Sequence, residues 1–93
     1  MKEVLQKLLN KLEEEKIKVR NLDYVLDDIK NTKPNGQFNT VLLADSKQFN
    51  VFYNIRKNKF CLETNCSNQL VTKEWMEQIQ YLYMLIEFVN TEL

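Results

Sequence analysis

Nucleophilic chemistry in this chain would fall to Cys61, the one candidate nucleophile on a regular element. A cysteine attacks as its thiolate and normally needs a base beside it, and the chain contains no His to serve as one. The stretch Cys61-Leu62-Glu63-Thr64-Asn65-Cys66 carries no redox spacing. Both cysteines read as free thiols, one half-buried on a strand and one in a loop, kept reduced in a cytoplasmic protein. Two thiols cannot build a structural zinc site. Asp23, Asp27 and Asp28 lie at i, i+4 and i+5 of one helix and would suit a hard cation. Calcium asks for about six to eight oxygens, however, and no loop supplies the rest, so these read as a solvated face with no metal. A single Gly rules out glycine-rich phosphate loops. Distant carboxylates could still share acid–base work, but no pocket-forming loop of any length surrounds them. The expectation is a protein with no catalytic residues and no cofactor.

The elements that must position these groups form one small domain of 93 residues. The apolar fraction of 44% is that of a folded chain. Thirteen Leu, seven Val, five Ile and ten aromatics supply one modest core. The start mixes charge with apolar residues, unlike a signal peptide, and the longest apolar run is Tyr81 to Ile86, far short of the roughly 20 residues of a membrane span. No membrane is expected, and the location is cytoplasmic. Asn and Lys number eleven each while Ala, Gly and Pro occur once, a bias of AT-rich coding that suits a low-GC bacterium, its phage or plasmid, or a similar virus.

Residues 2–16 read as an amphipathic helix, with Val4, Leu5, Leu8, Leu9 and Leu12 on one side and Glu3–Lys7 and Lys11–Glu15 as i,i+4 pairs on the other. Ile17 to Arg20 alternates like a short strand or extended link. Asn21 is an N-cap for a second helix carrying Leu22, Val25, Leu26 and Ile29, which ends near Asn31 ahead of Lys33-Pro34-Asn35-Gly36. Three strands follow, over Phe38–Ala44, Gln48–Arg56 and Phe60–Thr64, with a tight turn at Lys57-Asn58. On the second strand Phe49, Val51, Tyr53 and Ile55 share one face, and Phe52 is the exception on the polar one. Asn65 to Val71 is a loop, and Thr72 caps a last helix from Lys73 to about Thr91. The expected fold is α+β in the order α-α-β-β-β-α, a three-stranded antiparallel meander packed against helices. Two helices and a hairpin resemble part of a winged helix. That fold needs a recognition helix before the wing, where Lys33 to Gln37 makes only a turn.

The last helix carries two apolar stripes. Trp75, Ile79, Leu82, Ile86, Val89 and Leu93 step by four and three and stay within about 40° of one line, with Met76, Tyr83 and Leu85 widening the seam. Tyr81, Met84 and Phe88 fall on the opposite side, among Glu77, Glu87 and Thr91. A helix apolar on two sides is buried on two sides, so this second stripe is covered either by the first helix or by another chain, a second copy included.

Charge is balanced at thirteen of each sign but divided in space: residues 34–60 carry four positive and one negative, residues 61–93 one and five. Arg56, Lys57 and Lys59 cluster at the second turn. The residues favour a non-enzymatic protein-binding module that works by occupying a surface, in the manner of a phage or mobile-element accessory protein that inhibits a host or defence protein. Tyr81, Met84 and Phe88 would be its apolar contacts, Arg56, Lys57 and Lys59 its polar ones, and a homodimer is a further possibility. The alternative is a dimeric nucleic-acid-binding regulator using the basic hairpin tip, against which the pI of about 6.3 argues.

Overall fold

A computed structural model of the chain describes residues 1–33, 39–64 and 72–93. Helix α1 spans Lys2–Glu14 and buries Leu5, Leu8, Leu9 and Leu12 along one side. It stops two residues before the expected end because Lys16 turns left-handed, at φ 61°. The Lys16 N–H then donates to the Glu13 carbonyl at 2.9 Å and the Ile17 N–H to the Leu12 carbonyl at 3.1 Å, a Schellman closure made without glycine. The expected ion pairs along α1 are replaced. Lys11 meets Glu14 at 3.6 Å, and Lys7 leaves its own helix to meet Glu92 at 2.9 Å.

The extended link that follows lies along the sheet, as its alternation predicts. Val19 bridges Ala44, and the Arg20 N–H donates to the Leu43 carbonyl at 2.9 Å. The Arg20 guanidinium also donates to the Leu42 carbonyl at 2.9 Å and to the Asp28 carboxylate at 2.7 Å. Asp28 is thereby held to the link. Helix α2 (Leu22–Asn31) opens with the Asn21 side chain accepting from the Asp23 N–H at 2.9 Å, the cap its sequence announces.

Strands β1 (Thr40–Asp45), β2 (Phe49–Asn54) and β3 (Lys59–Thr64) form one antiparallel sheet in that order. They are shorter than the alternation suggests at β2, where Ile55–Asn58 makes a four-residue turn and Asn58 takes φ 53°. The expected start of β1 at Phe38 and the loop over residues 65–71, Cys66 included, lie outside the described residues. A bulge between Leu42 and Ala44 leaves both Leu43 and Ala44 buried and resets the alternation, so that Asp45 faces outward. The register stacks the outward residues of the three strands in rows: Thr40, Asn54 and Lys59; Leu42, Phe52 and Cys61; Asp45, Asn50 and Glu63.

All three helices cover the inner face, α2 against β1, α3 (Lys73–Asn90) against β3, and α1 touching both helices. One continuous core results, with Leu5, Leu8, Leu12, Val25, Leu43, Val51, Leu82 and Val89 fully shielded from solvent. This is the two-layer α+β arrangement that segregated helices and strands imply. No helix among the described residues is long and apolar enough to cross a membrane.

Candidate functional site

Helix α3 is positioned from both ends. The Thr72 side chain accepts from the Trp75 N–H at 3.1 Å and caps its start. Near its end Asn90 clasps β3: the Phe60 N–H donates to Asn90 Oδ1 at 2.8 Å, and Asn90 Nδ2 donates to the Phe60 carbonyl at 3.0 Å. Between these anchors Ile79, Leu82, Ile86 and Val89 form the buried seam, joined by the partly buried Trp75 and Leu85. Met76 and Tyr83 do not widen the seam as expected. They are 55% and 47% exposed, because α1 and the sheet close only on the side around Leu82 and leave the flank toward Glu87 open.

The second stripe stands in solvent. Met84 is 69% exposed, Phe88 56% and Tyr81 39%. Helix α1 reaches it at Phe88, where the Lys7 ammonium sits 4.9 Å from the centre of the ring while holding Glu92. The stripe divides into two neighbourhoods. Met84 and Phe88 line an open groove of about 630 Å³ with Lys59, Glu87, Asn90 and Thr91. Tyr81 instead lines a second groove of about 570 Å³ with Trp75, Glu15, Glu74 and Glu77.

Of the basic residues, Lys59 therefore comes together with Met84 and Phe88, whereas Arg56 and Lys57 stay at the hairpin tip. All three are exposed. The tip is held in shape by local bonds. The Lys57 N–H donates to Asn54 Oδ1 at 3.0 Å, and the Tyr53 hydroxyl donates to the Asn58 side-chain oxygen. Burial of Tyr53 pushes its phenol above the ordinary range. Cys61 is half-buried on β3 and makes a long contact, 3.9 Å, to the Lys59 carbonyl. No three acidic or thiol groups converge on a metal-sized site among the described residues.

Two features escape reading by periodicity. The row Leu42, Phe52, Cys61 needs the cross-strand register, although Phe52 standing among polar residues was its one visible sign. The acidic groove at Tyr81 draws in Glu15, the residue that ends α1, which no local pattern connects to α3. Comparison with known proteins returns no protein-family model, no curated protein and no solved structure that matches the chain.

Proposed function

We propose that the chain is a non-enzymatic protein-binding module whose contact surface is the outer face of α3. The observation that carries this reading is the exposure of Tyr81, Met84 and Phe88 on a helix that buries Ile79, Leu82, Ile86 and Val89 on its opposite side. Aromatic and Met side chains are the types enriched at the centres of protein interfaces. Glu77 and Glu87 border them, so the partner presents apolar side chains flanked by basic ones. A role as a phage or mobile-element accessory protein that occupies a host or defence protein agrees with the small size and the AT-rich coding bias.

The test is the double variant Tyr81→Glu with Phe88→Glu. Its thermal midpoint should match that of the parent, since both residues lie outside the core, while partners captured by the parent are lost. A variant that unfolds instead would make the stripe part of the core and overturn the reading. The second reading, nucleic-acid binding through the hairpin, draws on the exposure of Arg56, Lys57 and Lys59 at one end of the molecule. Binding of that kind weakens steeply between low and physiological salt, whereas docking on α3 responds little.

A further inference from the structure

We infer that the outer face of the sheet is a self-complementary surface that pairs with the same face of a second copy. Along β3 the outward residues run Lys59, Cys61, Glu63: a cation, a small apolar group and an anion. The middle of the face is the apolar row Leu42, Phe52, Cys61, which crosses all three strands and has no helix over it among the described residues. Leu42 is 38% exposed. Neither the Lys59 ammonium nor the Glu63 carboxylate has an ion-pair partner among the described residues.

A two-fold axis laid along that middle row turns a second sheet onto the first with each strand above its own copy and running the other way. Lys59 then stands over Glu63 of the copy and Glu63 over its Lys59, while Phe52 meets Phe52 and Cys61 meets Cys61. The other in-plane axis, parallel to the strands, sets Glu63 over Asp45 and gains no ion pair. The charge pattern thus selects one arrangement, in which unlike charges close both ends of an apolar centre.

The face also sets the strength of the pairing. Three strands about 4.8 Å apart and six residues long cover roughly 300 Å², against about 800 Å² per partner in a stable interface. The complex is accordingly a weak, transient one. Its apolar centre is separate from the partner surface on α3, and the two surfaces meet at Lys59, which also lines the groove of Met84 and Phe88.

The experiment is sedimentation equilibrium of the full chain, from ten micromolar to one millimolar, on the parent and three charge variants. Lys59→Glu alone and Glu63→Lys alone each place like charges at both ends and should weaken association by about tenfold. The combined swap, Lys59→Glu with Glu63→Lys, restores the unlike pairs and should return association to the parent's range. Recovery in the swap is a result that loss of fold or of general solubility cannot produce. With Cys66 replaced by Ser, a short bismaleimide should join two copies through Cys61 in the parent and in the swap but not in the single variants. Packed sheets lie about 10 Å apart, beyond direct disulfide reach, so mild oxidation should not join them.

A parent that stays monomeric at one millimolar overturns the inference, as does association that the swap fails to restore. Self-association abolished by Phe88→Glu but unmoved by Glu63→Lys would assign pairing to α3 instead. A single-stranded oligonucleotide that binds in a Phe52-dependent way to a monomeric chain would assign the face to nucleic acid.

Discussion

Asn90 stands where α3 meets the open edge of the sheet. Phe60 faces Tyr53 across β3 and β2 at a position where its own N–H and C=O point away from β2, toward that edge. Both groups are taken by the Asn90 amide, which bonds them as a neighbouring strand would. This couples the helix to the sheet and closes one position of an edge that would otherwise invite strand addition. Asn90→Ala should lower stability by about 2 kcal/mol in urea unfolding and speed hydrogen exchange at the Phe60 amide, since both bonds go and neither backbone group finds another partner. Tyr53 offers a second test at this scale. Burial raises its phenol above the value of about 10 that it has in the unfolded chain. The resulting stability is fully present below pH 10 and is lost as the pH rises through the higher folded value. The urea midpoint should therefore fall above pH 10, and the fall should be shallower in Tyr53→Phe.

At the scale of elements, the order of helices and strands is legible because each signal is local. Asn21 and Thr72 announce caps, and the four-and-three stepping of Ile79, Leu82, Ile86 and Val89 marks the buried seam without reference to any other segment. Pairings across the chain are not local and cannot be read that way. Lys7 has an acid one turn behind it at Glu3, yet it pairs with Glu92, because the packing of α1 on α3 brings that carboxylate closer to its reach. The row of Leu42, Phe52 and Cys61 depends on a bulge in β1 that alternation alone does not reveal. The end of α1 is a further case, since Lys16 occupies a left-handed position where glycine is the usual choice. Lys16→Gly should raise stability by about 0.5–1 kcal/mol, visible as a higher urea midpoint with an unchanged slope. On α3, Leu82→Ala should cost about 2–5 kcal/mol by opening a cavity, while Met84→Ala should stay within about 0.5 kcal/mol. Equal losses at the two positions would mean that the outer stripe is covered.

The whole molecule presents two unlike surfaces, the outer face of α3 and the outer face of the sheet, which meet at Lys59. The outer face of α3 exposes Met84, Phe88 and Tyr81, and the docking proposed there would draw chiefly on removal of apolar area from water. The outer face of the sheet has a narrow apolar row with Lys59 at one end and Glu63 at the other, so its attraction for a second copy depends on charges at a solvated rim. Salt separates the two. The screening length falls from about 10 Å at 0.1 M to about 3 Å at 1 M, which weakens exposed ion pairs and leaves apolar burial intact. Self-association should therefore decline across that range, whereas capture of a partner through α3 should hold or strengthen. The combined swap of Lys59 and Glu63 should decline in the same way as the parent, because it exchanges the signs without changing their spacing. Pairing that is indifferent to salt would place the self-contact on a more apolar face, for which the exposed Met84 and Phe88 of α3 are the candidate.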